Sequence, residues 1–274
     1  MSEFTGVRGT VWFRALTGKA SSMPGDPKSV LTGDATLGKD QARFLCVAPD
    51  PHARFPCARH GEVGLEEGYT LATRVRELIE QDKNSNKRPI IAIVDVKSQA
   101  YGRREETAGI FLACAAAADA YGSARLAGHP VITFVVGHAL SGAFLTHGYQ
   151  ANRILALDDN GVMIHAMHKA AAARVTRRSV EELEKLAKKI APMSYDIRDY
   201  AKLGLLYKLL HVENPEKPSA QDLRNVQDEL VGAIADARRG PVDLRNRLES
   251  KGALEMRKAS LLVRSRLEAQ WLEN

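Results

Sequence analysis

The sequence predicts an α/β fold with a mostly parallel sheet and a largely helical C-terminal part. Three observations carry this. Two short runs, the continuous β-rich "RPIIAIVDV" (88–96) and the apolar "VITFVVG" (131–137), have the composition of strands buried on both faces. Each is followed by a turn and then a helical pattern, as in a parallel sheet. From residue 170 onward the chain consists mainly of capped, helix-spaced segments.

Taken in order, "TVWFRAL" (10–16) reads as a strand from its β-branched and aromatic residues. Residues 21–39 are rich in Gly, Pro, Ser and Asp and read as a long loop. "ARFLCVAPD" (42–50) reads as a strand stopped by Asp50-Pro51. In 64–82, Leu71, Val75, Leu78 and Ile79 recur at helical spacing, and acids occupy the first turn, where they suit the helix dipole. Residues 101–130 form one long Ala-rich helical pattern ending near Gly128-His129-Pro130. "SGAFLTHGYQAN" (141–152) reads as a short helix, and 153–167 as two short strands around the Asn160-Gly161 turn signal. Ser179 with Glu182 forms a capping box. Two later helical segments carry apolar stripes, Leu223, Val226, Leu230 and Ile234 in one and Leu261, Leu262 and Leu267 in the other. Both stripes need a surface, in this chain or in a partner. The whole chain, 1–274, is expected to form one domain, mainly helical from about residue 179.

The 274 residues are 45% hydrophobic and 26% charged, enough for a large core. Cys46, Cys57 and Cys114 are scattered with no C-x-x-C, which suits reduced thiols and a cytoplasmic protein. The N-terminal residues do not read as a signal peptide, and no apolar run nears a membrane span. The net charge of +6 suits either a mildly basic soluble protein or an anionic partner, a phosphate-bearing cofactor or an acidic carrier protein. Basic residues are interleaved with acids and no aromatic-and-basic motif occurs, so nucleic acid is not expected.

The stretch "VVGHALSGAFLTHG" (135–148) is the richest in possibilities. A serine nucleophile elbow needs Gly two residues before and two after the serine, and Ser141 has Ala139 and Ala143 there. No GxxxxGK[ST] run exists, and Gly137 and Gly142 are wrongly spaced for a dinucleotide fingerprint. Two readings stand on spacing alone. The turn offers backbone N–H groups at a helix start to a carbonyl or oxyanion, or it is a plain strand-to-helix turn with Gly chosen for packing. The junction "DVKSQAYGRREE" (95–106) has the same form. If the two strands are adjacent, their N–H groups come side by side. His165 and His168, three apart, are read as a strand end and a helix start rather than as metal ligands. Cys114 is read as a buried small residue, and Asp95 as a turn or cap group.

"DVKSQAYGRREETAG" with "HPVITFVVGHALSGAF" resembles the carboxyltransferase branch of the crotonase superfamily. Across nearly the full length, "SVLTGDATLGKD", "VDVKSQAYGRREE" and "GVMIHAMHKAAAARVT" resemble more specifically the γ-subunit family of biotin-independent malonate decarboxylases. The resemblance implies a crotonase-like ββα spiral core with a helical C-terminal extension. It implies a site shared with a β subunit of the same fold and built from main-chain oxyanion holes. One hole falls on Gln99 and Ala100, the other on Ser141 and Gly142, with Gly137 shaping the turn. Beside the first hole, Tyr101, Gly102, Arg103 and Arg104 are the candidate substrate-binding residues: the arginines either grip a phosphate or carboxylate or form a solvated charge run with Glu105 and Glu106, and Tyr101 either lines the pocket or covers the core. It implies decarboxylation of a malonyl thioester on an acyl-carrier protein that bears a phosphoribosyl-dephospho-CoA arm. No covalent cofactor, biotin or metal is implied for this chain. Its partners would be the β subunit, the carrier protein and the rest of the complex. The chain departs from the carboxyltransferase pattern in Lys97-Ser98, which replaces Pro-Gly, and in Ser141, which replaces Gly. Two alternatives remain: a biotin-dependent acyl-CoA carboxyltransferase α-type subunit, and a non-catalytic scaffold subunit.

Overall fold

A computed structural model describes residues 7–19 and 22–272. The chain opens with helix α1 (Val7–Thr17), then strands β1 (Val30–Leu37) and β2 (Asp40–Val47). Helix α2 (Leu65–Gln81), strand β3 (Ile90–Val96) and helices α3 (Arg103–Thr107) and α4 (Ile110–Leu126) follow. Strand β4 (Val131–Leu140) leads directly into helix α5 (Ser141–Thr146). Next come β5 (Arg153–Leu157), β6 (Met163–His165), α6 (Lys169–Thr176), α7 (Val180–Ala187), α8 (Ile197–Lys202) and β7 (Lys208–Leu210). The chain closes with α9 (Ala220–Arg239), α10 (Asn246–Glu249), α11 (Lys251–Met256) and α12 (Lys258–Leu272).

The sheet runs β1-β2-β3-β4-β5-β7. β1 is antiparallel to β2, and the remaining pairs are parallel. β3 and β4 are the central neighbours, with Ile90–Val94 in register with Val131–Val135. The register then shifts, so that Val96 faces Ala139. Beyond that shift β4 leaves β5 and pairs His138–Leu140 with β6 instead. The irregularity therefore falls where β4 nears α5. Every residue of β3 is buried, Asp95 among its apolar neighbours included, as in a strand covered on both faces.

Helix α1 packs on β1–β4 and on α9. α2 and α4 pack on each other so closely that a Cβ at Gly68 would lie 2.8 Å from the Ala113 backbone. The Ala-rich stripe Ala113, Ala117, Ala120 and Ala124 is buried along α4 and makes that approach sterically free. α9 buries Val226, Leu230, Ala233, Ile234 and Ala237, so the first of the two expected stripes finds its surface within this chain.

Three expectations are corrected. Residues 10–16 lie in helix α1, because Gly9, Trp12, Phe13 and Leu16 form one buried helical face. The loop expected over 21–39 contains β1, held by pairing with β2 along its whole length; Ser21 itself lies outside the described residues. The long Ala-rich helix is interrupted at Gly109, whose φ of +86° ends α3 and opens α4. The two strands around Asn160-Gly161 exist, but each pairs in parallel with β4 rather than with the other. The second apolar stripe also behaves differently: α12 buries no residue, and Leu262, Leu267 and Trp271 are exposed.

Candidate active site

The two expected junctions emerge from the C-terminal ends of the adjacent parallel strands β3 and β4. They meet. The side-chain Oε1 of Gln99 accepts a hydrogen bond from the Gly142 N–H at 2.9 Å. The Tyr101 hydroxyl lies 3.2 Å from the Ser141 Oγ. Gln99, Tyr101, Ser141 and Gly142 thus form one cluster across the two junctions.

The first junction is braced from β2's side of the chain. Val63 donates its N–H to Ser98 O at 3.1 Å and accepts the Ala100 N–H at 2.9 Å. Lys97 pairs with Glu62 at 3.0 Å. Glu67 accepts the Gly64 N–H at 3.0 Å and the Ser29 hydroxyl at 2.5 Å, and burial pushes its carboxyl upward in pKa. Ala100 is fully buried among Ala58, Leu65, Ile110 and Ala113. Its N–H, expected as a donor to an oxyanion, is spent on Val63. The Gln99 N–H has no acceptor among the described residues.

The second junction turns on Gly137 and Asp95. The buried Asp95 carboxylate accepts the His138 N–H at 3.0 Å through Oδ1 and the Gly9 N–H at 3.3 Å through Oδ2. A Cβ at Gly137 would lie 2.1 Å from Oδ1, so glycine is what lets this carboxylate sit under the turn. Asp95 therefore acts as the turn group expected of it. The His138 ring, whose Nδ1 is buried without a partner, is held below its usual pKa by burial, against the pull of Asp95. Ser141 has φ +60°, the left-handed region, at a position where the carboxyltransferase pattern has Gly. A proline there is excluded by conformation alone, because its ring fixes φ near −65°.

A cleft of about 470 Å³ shares Asp95, Gly137 and His138 with this turn but is lined by none of Gln99, Tyr101, Ser141 and Gly142. Its cation, Arg8, is already paired with Asp159 and Glu216 at 2.6 Å each. The Gln99 cluster thus lies outside this cleft, whose lining includes His138 with its unpartnered Nδ1.

The remaining expected residues lie beside the cluster. Tyr101 is 59% exposed, so its ring is at the surface and does not cover the core. Gly102 is extended, and a Cβ there would lie 2.0 Å from Glu105 Oε2. Arg103 and Arg104 open the short α3, exposed. Arg104 stacks over Phe55 at 5.2 Å, with Arg54 over the same ring at 5.5 Å. No hydrogen bond or ion pair joins Arg103 or Arg104 to the Gln99–Gly142 pair among the described residues. His147 is fully buried; its ring bridges Tyr121 OH and Ile93 O, and burial lowers its pKa to about 4. It is a core group. His165 ends β6 and stacks on Tyr195, and His168 stands at the N-cap position of α6 without a side-chain capping bond. No cluster of three or more potential metal ligands occurs among the described residues. Cys114 is half-buried rather than buried. No helix among the described residues is long and apolar enough to cross a membrane.

Sequence reasoning missed Val63 and the Gln99 side chain. Val63 carries no local signal. Gln99 had one indirect sign, the glycine at 142, where a Cβ would lie 3.0 Å from Gln99 Oε1.

Comparison with known proteins supplies the family. The family model for the malonate decarboxylase gamma subunit matches residues 58–271. A subunit of a Pseudomonas malonate decarboxylase hetero-tetramer, solved in complex with coenzyme A, is 56% identical, with a TM-score of 0.92 over 96% of this chain and 99% of that one. A chain of the Pseudomonas MdcD-MdcE hetero-dimer is 55% identical, with a TM-score of 0.88 over the same shares. The malonyl-S-ACP:biotin-protein carboxyltransferase MADD of Malonomonas rubra is 34% identical over 87% of this chain and 81% of its own length. The transcarboxylase 12S subunit, at 19% identity and a TM-score of 0.57 over 78% of this chain and 36% of that one, shares the fold. The expected crotonase-like core with a helical extension is therefore the observed one, and the chain belongs to the malonate decarboxylase gamma subunit family.

Proposed function

We propose that this chain pairs with a β subunit of the same fold and decarboxylates malonyl carried as a thioester on an acyl-carrier protein, leaving acetyl on the carrier. The observation that carries the reading is 53–56% identity to chains of Pseudomonas malonate decarboxylase across 96% of this sequence. The geometry is compatible with it. Breaking the C–C bond sends its electron pair toward the thioester oxygen as an enolate, CO2 leaves, and a general acid or water then protonates the enolate carbon to give acetyl. Preorganised donors stabilise the developing oxyanion. In this reading the β subunit holds the thioester oxygen, and the Gln99–Gly142 cluster of this chain orients the departing carboxylate. Gly137 sets the turn, and Tyr101, Gly102, Arg103 and Arg104 flank the substrate. The carrier's arm is a phosphoribosyl-dephospho-CoA group, whose phosphates suit the chain's net positive charge. The setting is cytoplasmic, and the whole chain forms one domain.

A second reading has one observation in its favour: the relative from Malonomonas rubra is named for transfer to a biotin protein. Its 34% identity, against 53–56% for the decarboxylase chains, ranks it lower. Co-purification with a β-type chain and assay with malonyl-CoA as surrogate separates the readings. The expected result is acetyl-CoA and CO2 formation indifferent to avidin and dependent on both chains. Turnover that requires a biotin carrier, or that persists without this chain, overturns the proposal.

A further inference from the structure

Of the four main-chain N–H groups expected at the site, the structure finds two occupied. Ala100 donates to Val63 O, and Gly142 donates to Gln99 Oε1. The second bond fixes the orientation of the Gln99 carboxamide. A backbone N–H only donates, so the oxygen of the side chain must face Gly142 and the NH2 must face away. That NH2 has no acceptor among the described residues and is not buried. The absence of a side chain at 142 is part of the seat: a Cβ there would come within 3.0 Å of Oε1 and 3.1 Å of Cδ.

We propose that the Gln99 side-chain carboxamide is the group that receives the malonyl carboxylate, donating from Nε2 while Gly142 anchors its oxygen. This rests on the decarboxylase reading above. The chemistry favours such a donor. In decarboxylation the carboxylate loses its negative charge as CO2 forms, so strong donors there bind the ground state more tightly than the transition state and slow the step. A pair of bare helix-start N–H groups would be a strong donor set. One neutral amide orients the carboxylate without holding the charge in place. The Gln99 seat closes the stronger site and substitutes the weaker.

The test compares wild type with Gln99→Ala, Gln99→Met and Gln99→Glu in the β–γ heterodimer, using malonyl-CoA as substrate and acetyl-CoA as competitive inhibitor. Loss of a hydrogen bond to a charged group raises KM for malonyl-CoA roughly 10- to 100-fold in Gln99→Ala and Gln99→Met. kcat does not fall with it, and kcat/KM drops by less than KM rises, because that bond weakens on the way to the transition state. The Glu variant still accepts from Gly142, yet repels the substrate carboxylate, and its KM rises at least as far. The Ki of acetyl-CoA, which lacks the carboxylate, stays within about twofold of wild type in all three. The proposal is overturned if Gln99→Ala leaves KM unchanged or lowers it, since Gly142 would then bind the carboxylate itself. It is also overturned if the Ki of acetyl-CoA rises in step with KM, the mark of a merely structural role. A wild-type heterodimer inactive on malonyl-CoA overturns the functional reading and this proposal together.

Discussion

Replacing Gly137 by Ala tests how the β4–α5 turn is held. The new Cβ would lie 2.1 Å from Asp95 Oδ1 and 2.4 Å from its Cγ. No carbon sits that close to a carboxylate, so Asp95 must move. Its carboxylate is buried and accepts two backbone N–H bonds, from His138 and Gly9. Hydrogen bonds to a charged group contribute about 1.5–3 kcal/mol each, and both are lost or bent. The expected destabilisation is about 3–5 kcal/mol, which for a chain of this size lowers Tm by roughly 10 °C. Gly137 has no positive φ, so the cost is steric and not conformational. A thermal melt of Gly137→Ala, Asp95→Ala and the double variant separates the causes. Asp95→Ala removes the obstacle but leaves two buried N–H groups unpaired, so it is destabilising by itself. In its background, adding Ala at 137 costs little, and the double-mutant coupling exceeds about 2 kcal/mol. Strict additivity, or a Gly137→Ala melt within about 2 °C of wild type, refutes the argument.

Other consequences are equally concrete. His147 is kept neutral in the fold, its pKa lowered to about 4 from the ordinary 6.5 by burial. The unfolded chain therefore takes up a proton at this site before the native one does. Its contribution is fully present above pH 6.5 and is lost as pH falls toward 4, by about 3 kcal/mol in all. Urea melts from pH 7.5 to 4.5 in wild type and His147→Gln check this, the variant showing the shallower slope. At Ser141, the Ala and Gly variants both delete the hydroxyl near Tyr101, so the difference between them reads the left-handed strain alone. Ser141→Gly is expected to be more stable than Ser141→Ala by about 1 kcal/mol by denaturant titration. Helix α12 buries nothing within this chain, so truncation after Arg257 should leave the melt of the isolated chain within about 2 °C of full length.

The legible parts of this fold are those whose signal is local. α2 is read from its apolar spacing and from Glu66 and Glu67 in its first turn. β3 is read from its short β-rich run, and the structure buries all seven of its residues. The misread parts are decided at a distance. Trp12 and Phe13 look like strand residues. They become helical because one face of α1 buries against the sheet, with Trp12 Nε1 donating to Pro215 O, 203 residues away. β1 contains Gly33, Asp34 and Thr36, a loop-like composition, and is a strand only because β2 pairs with it throughout. The same division holds at the candidate site. The two junctions are visible as strand-to-helix turns, and their adjacency follows from neighbouring parallel strands. What fills their N–H groups is not visible. The Val63 carbonyl that takes the Ala100 N–H precedes α2, and its reach to residue 100 is set only by the tertiary structure.

That last point changes what the departures from the carboxyltransferase pattern mean. With Lys97-Ser98 in place of Pro-Gly, the first junction is tied down: Lys97 pairs with Glu62, and Ser98 and Ala100 bracket Val63 in a short parallel bridge. The tie turns the Ala100 N–H away and leaves the Gln99 N–H as the donor without an acceptor among the described residues. On the second junction the Gln99 side chain takes the Gly142 N–H. With the Ala100 and Gly142 N–H groups taken, the Gln99 main-chain N–H and carboxamide NH2 stand among the donors without an acceptor in the described residues. A site that had to stabilise charge growing on this side would be expected to keep its strongest donors bare. In a decarboxylation the charge on this side disappears, and donors left bare here would work against the reaction. The closing of the two N–H groups is then the property that suits the turn to releasing CO2.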